Sequence, residues 1–138
     1  METRGWNRRY QGVALGFLTC AVGTLALPLR WRLGWWLPLH VVVAGAVATA
    51  ISGAMQVFAR ALTATKGERG MSVAVQFFAV TAGAAAIAMG LPSGRRWLVA
   101  LGGAAWVAGI ALLGWFVWRA WARSVTRRHP VPIAAYGC

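Results

Sequence analysis

Few side chains in this sequence could ligate, titrate or carry a polar solute away from its charged segments. They are His40, Met89, Gln56, Gln76 and Cys20. Neutral imidazole is a common ligand for haem iron and other metals, and thioether sulfur favours soft metals. A His40/Met89 pair would therefore suit haem iron or copper. His40 stands five residues after Trp35, and Met89 three before Pro92. At 1.5 Å per helical residue this sets both at a similar depth, His40 about 7 Å inside its helix end. In the plainer alternative, His40 bonds a backbone carbonyl or interfacial water and Met89 fills space. One His and one Met matched by depth alone favour that alternative.

Gln56 and Gln76 are expected to hydrogen-bond to each other across two helices, typically worth about 1 kcal/mol between membrane segments; the alternative is that they line a solute path. Cys20 sits mid-helix and Cys138 ends the sequence, so their separation in depth disfavours a disulfide, and no Cys pair has metal-site spacing. His129 lies in a basic stretch and reads as solvated. There is no phosphate-binding Gly loop, Ser/His/Asp set or His/carboxylate cluster. No catalytic residue is expected, and the chain reads as non-catalytic on its own.

The elements that would hold these residues follow from charge. There are 14 Lys and Arg against 2 Asp and Glu in 138 residues, a formal +12, yet hydrophobic residues make up 59% and Gly a further 17 positions. A soluble domain of this size could not hide so much apolar surface. Charge is absent from positions 10–29, 33–59, 70–94 and 97–118. Each gap meets the requirement of about 20 residues for crossing a bilayer core, and in lipid a crossing segment satisfies its own backbone as a helix. A soluble bundle would need a charged face on every helix; none of the four gaps offers one. The expectation is an all-α, integral membrane four-helix bundle over residues 1–128. Its spans fall near 11–29, 36–59, 71–91 and 97–118, followed by a disordered tail over 129–138. The first span is too long for a signal sequence, and Pro28 to Trp31 make a poor cleavage site.

The Lys and Arg residues then sort to two sides. Ten flank the N-terminus, the second connection and the C-terminal end of the fourth span. Four (Arg30, Arg32, Arg95 and Arg96) flank the other two connections. The positive-inside rule puts both termini in the cytoplasm, N-in/C-in, in a multi-pass protein of a bacterial inner (plasma) membrane. Trp31, Trp35, Trp36 and Trp97 form one interfacial belt; Trp6, Tyr10, Trp115, Trp118 and Trp121 form the other. Trp106 falls mid-span, against a neighbouring helix or lipid. Residues 63–70 read as a flexible cytoplasmic loop and Leu91 to Gly94 as a tight outer turn. Small residues offer packing ridges at Gly12, Gly16 and Gly23; at Ala44, Ala48 and Ser52 beside Gly45, Thr49 and Gly53; at Ala82, Ala86 and Gly90; and at Ala105 and Gly109. The basic charge is thus distributed along a membrane protein, so no nucleic-acid partner is expected. No span holds an acidic residue, which argues against proton-coupled export through a buried carboxylate.

The stretch from Leu39 and His40 through the Gly-Ala-rich run to Gln56, Val57 and Phe58 resembles the N-terminal membrane segment of actinobacterial copper-oxidase, or multicopper-oxidase-like, membrane proteins. The similarity continues as a basic loop, a helix with an early Gln (Gln76) and an apolar helix ending at Trp118 and Arg119. It implies a membrane subunit or scaffold of a copper or haem redox system, working with a redox partner subunit or other membrane helices. His40 would be the residue nearest the cofactor. The sequence departs from the family in lacking further His-rich helices and a cupredoxin portion, and Val57 stands where some members have a second His. This suggests a truncated or split relative. The competing reading is a small oligomeric transporter or lipid-linked-substrate carrier.

Overall fold

The computed structural model describes the backbone over residues 2–63 and 70–123, with side chains from residue 5 onward. The expected flexible loop and the disordered tail lie outside the described residues. Every regular element described is helical: α1 (Glu2–Thr24), α2 (Leu29–Arg32), α3 (Trp36–His40), a π-helical segment (Val41–Val47), α4 (Ala48–Thr63), α5 (Gly70–Gly90) and α6 (Arg96–Ala122). Three helical stretches are long and apolar enough to cross a membrane: Leu29–Thr63, Gly70–Gly90 and Arg96–Ala122.

The first helix differs from the expected span. It starts within the basic N-terminal residues and stops at Thr24 rather than continuing to 29. Its apolar part is therefore short, and α1 is not among the stretches that qualify by length and composition. Proline sets the boundary. The residue before Pro28 is pushed out of the helical region, and the chain tightens through Leu25 N–H to Val22 O, Ala26 N–H to Gly23 O and Leu27 N–H to Thr24 O. Pro28 (φ −54°, ψ 145°) then leads into the single turn of α2. Leu33 (φ 52°) and Gly34 (φ 66°), both left-handed, link α2 to α3. Pro38 is harmless as the third residue of α3, because the first-turn amides of a helix have no intrahelical acceptor. The Leu91–Gly94 turn forms as expected, with Arg95 N–H reaching Gly90 O at 2.9 Å and Gly94 at φ 68°.

Between α3 and α4 the helix widens. The Ala48 amide, which would bond Ala44 O in an α-helix, donates instead to the Val43 and Gly45 carbonyls. Ala44 O receives the indole N–H of Trp106 at 3.1 Å. One helix thus accommodates an extra residue in its turn while a side chain of α6 serves the bypassed carbonyl. Such π segments are rare inside long helices and concentrate at functional sites. This also resolves the mid-span tryptophan: Trp106 ties α6 to the π segment.

Helix α1 runs antiparallel to this widened stretch. Tyr10 packs on Gly53, Phe17 on Gly45, and Ala21 joins Leu37 and Val41 in one buried cluster. A side chain at Gly45 would stand 2.5 Å from the Phe17 ring, and one at Gly53 2.7 Å from Tyr10 Cβ. The Gly45/Thr49/Gly53 ridge is thus the one that packs on α1. The Gly12/Gly16/Gly23 ridge faces open space. Helices α5 and α6 pair closely through Gly83, Gly90, Gly102 and Gly109. Gly83 and Gly102 are the central pair here, whereas Ala82 is exposed.

The outer surface is apolar. Leu15, Val22, Phe78, Leu101 and Val107 are each more than 60% exposed, and only 17% of the most apolar part of α6 is buried. In water a contiguous surface of this kind drives association; in a bilayer it is the lipid face.

Candidate functional site

The interior is organised around one polar cluster joining α1, α4 and α5. Gln76 and Ser52 are fully buried and Tyr10 nearly so. The Tyr10 hydroxyl donates to Gln76 Oε1 and lies 3.4 Å from Val73 O. Gln56 Nε2 donates to the Tyr10 hydroxyl at 3.0 Å and to Gln76 Oε1 at 3.2 Å. Gln76 Nε2 in turn donates to Ser52 Oγ at 3.3 Å. The expected Gln56–Gln76 bond is present, but as two members of a four-residue network. Ser52 and Gln56 lie four apart on α4, and Val73 and Gln76 three apart on α5, so each pair shares a helix face. Gly53 lets the Tyr10 ring approach α4, and Phe77 meets that ring edge to face, centroids 4.9 Å apart.

Tyr10 is the member that sequence reasoning placed elsewhere. It was expected in an interfacial belt, beside Trp6. At 1% exposed it is instead an interior residue, because α1 continues as a helix through the basic region and turns that position inward. One signal was available: Tyr10, Ala14, Phe17 and Ala21 recur at helical spacing and form the buried or half-buried side of α1. Trp31, Trp35, Trp97, Trp115 and Trp118 are exposed, as side chains of interfacial belts would be.

His40 stands at the junction of α3 and the π segment. Its ring stacks on Trp36 at 4.7 Å, with 12° between planes. Its Nε2 lies 3.3 Å from Ala84 O, a bond that needs the Nε2–H tautomer. Met89 follows Ala84 by five residues on α5, which is about 140° round the helix and more than one turn on. Ala84 is 1% exposed and Met89 61%, so Met89 faces outward. The two candidate ligands therefore lie on different flanks of α5, and as a pair they do not fit one haem iron or copper ion. Among the described residues no group of three or more His, Cys, Asp or Glu could hold a metal. Cys20 is exposed on α1.

Among the described residues the buried Nε of Arg32, at the end of α2, and the buried hydroxyl of Thr49 stand outside these networks. Thr49 is fully buried, and its hydroxyl has no hydrogen-bond partner among the described residues. A helical threonine ordinarily reaches the carbonyl four residues back. Here that carbonyl, Gly45 O, takes the Ala48 amide at the exit of the π segment.

The fold and site together define an all-helical protein with three membrane-length apolar helices and a buried amide–phenol network. No family model, no curated protein and no solved structure matches the chain.

Proposed function

We propose that this chain is a polytopic inner-membrane protein that acts as a non-catalytic membrane subunit or scaffold, associated with a copper or haem redox system. One observation carries the scaffold reading: the strongly polar groups between the helices bind one another. Tyr10, Gln56, Gln76 and Ser52 form a closed set, His40 meets a backbone carbonyl and Trp106 meets another. A solute path needs polar groups that face the solute; among the described residues the members of this network face each other, while the buried Thr49 hydroxyl and the Arg32 Nε stand outside it.

Four crossings, with both termini cytoplasmic, fit the packing of α1. Tyr10 to Ala21 run antiparallel beside Gly53 to Leu37, the middle of the Leu29–Thr63 stretch. If that stretch crosses the bilayer, α1 lies at the same depth. Its modest apolarity is offset because one face is covered by protein.

The redox association rests on the resemblance between Leu39 and Phe58, with the cofactor in the partner subunit or His40 as a single ligand. For His40 to bind metal through Nε2, that atom would have to leave the Ala84 carbonyl. The test is the absorbance of purified protein supplied with haem or with copper. A bound-cofactor spectrum that disappears in His40→Ala is expected if His40 is a ligand. A spectrum unchanged by that substitution removes His40 from the proposal and leaves a scaffold whose partner holds the cofactor.

A further inference from the structure

At the basic end of the molecule a groove of about 530 Å³ opens between the starts of α1 and α5, lined by Gly5, Trp6, Arg9, Gly70, Met71 and Ala74. Gly5, Gly70 and Ala74 leave it wide. Trp6 is fixed by an edge contact with Phe77, centroids 5.9 Å apart. The Arg9 guanidinium sits 4.6 Å above the Trp6 ring, an arrangement that holds the cation in place while leaving its N–H groups free to face a ligand. With 14 cations against two acids, at least twelve cations have no counter-charge within the chain.

We propose that this groove binds the headgroup of an anionic phospholipid. Arg9 takes the phosphate, and the Trp6 ring and the exposed Met71 side chain lie along the glycerol and the first acyl carbons. Guanidinium matches phosphate in a forked, charge-assisted geometry, and indole favours the headgroup level. Arg9 is the charged residue that lines the groove; Arg8 follows Trp6 on the same helix, and Glu2 begins that helix one turn before Trp6. No described side chain is acidic. A lipid seated here would clamp α1 to α5 one residue from Tyr10, at the edge of the buried network.

This inference rests on the membrane reading, and the experiment separates the two. The full chain, purified in a mild detergent, is titrated with dioleoyl-phosphatidylglycerol or dioleoyl-phosphatidylcholine, and bound lipid is counted by native mass spectrometry. The wild type should retain phosphatidylglycerol preferentially. Arg9→Gln should weaken that retention about five- to tenfold, the contribution of one basic residue at an anionic surface, and Arg9→Lys should keep most of it. Met71→Glu alters only an exposed side chain, so it keeps the test open if Arg9→Gln fails to fold. It should also reduce retention. Arg95→Gln with Arg96→Gln, away from the groove at the start of α6, should leave it unchanged. Equal retention of the two lipids overturns the proposal, as do wild-type retention in both Arg9→Gln and Met71→Glu, or displacement by millimolar inorganic phosphate. Failure of the membrane reading would look different: the wild type would be recovered without detergent.

Discussion

Replacing Gly83 should unfold the α5–α6 pair more readily than any other single methyl-sized change in it. A Cβ there would lie 2.7 Å from Gly102 O and 2.7 Å from the Trp106 amide nitrogen. Both are backbone atoms and cannot rotate away, so the two helices must separate. In a bilayer this matters more than in water, because lipid is as apolar as the helix surfaces and close packing supplies much of the association. Gly83→Ala should cost about 1–3 kcal/mol, the usual range for overpacking a tight interface, and Gly83→Val more. Separation would also pull the Trp106 indole from Ala44 O and leave the π segment without that donor. The control is Gly103→Ala on α6, where a Cβ meets nothing within 4 Å. There the helix propensity of alanine should make the change neutral or stabilising by up to about 1 kcal/mol. Thermal unfolding in detergent, followed by circular dichroism, orders the three variants. Equal melting of Gly83→Val and wild type would mean that α5 and α6 do not approach as described.

Gln76→Leu should have the second large effect. The substitution removes the acceptor used by both Tyr10 and Gln56 and the donor used by Ser52. Three polar groups lose their shared partner; Tyr10 and Ser52 are buried, and Gln56 is half-buried. A buried group left unpaired costs about 1–3 kcal/mol, whereas a single bond between membrane helices averages about 0.6 kcal/mol. The hub position should therefore cost about 2–3 kcal/mol, since Tyr10 and Gln56 can still reach each other. A combined Tyr10→Phe, Gln56→Leu, Gln76→Leu variant should recover part of the loss, because most of the orphaned groups are then gone. A triple variant destabilised by the full sum of its three single changes would argue against a connected network.

The parts of this fold that were legible in the sequence are those that charge and proline control. The uncharged gaps locate the helices but stop two of them short, at 59 and 118 where the helices run to Thr63 and Ala122. The gaps end at Arg60 and Arg119, and a helix continues through them; the Leu91–Gly94 turn lies where Pro92 and Gly94 put it. The π segment left no such mark. It depends on Trp106, 62 residues from Ala44 along the chain, and on Phe17 seated against Gly45. The expected ridge on α5 holds at Ala86 and Gly90, which pack against α6, and fails at Ala82, which is exposed. Where nearly every residue is Ala, Gly or aliphatic, several ridges look equally small, and the crossing geometry decides that Gly83 rather than Ala82 meets α6. The Gln56–Gln76 pair was readable because isolated amides in an apolar helix need partners. Tyr10 was hidden because a tyrosine beside arginines reads as interfacial. Counted from Trp35 and Pro92, His40 and Met89 share a depth; in the structure His40 meets Ala84, and Met89 lies more than one turn farther along α5 and on another side of it.

Whether the chain crosses the membrane four times or three is settled by the sides on which its two ends lie. Three stretches qualify on their own apolarity, and α1 crosses only if its packing against Gly45 and Gly53 carries it through. An even number of crossings puts both termini on one side; an odd number puts them on opposite sides. A protease-cleavable tag placed on either terminus, probed in sealed right-side-out and inverted vesicles, reads this directly. The proposed four crossings, with the ten-to-four charge bias, predict that both tags are cut only in inverted vesicles. Cutting of the two tags in opposite preparations would show that α1 does not span, and would remove the four-helix transmembrane bundle proposed for this chain.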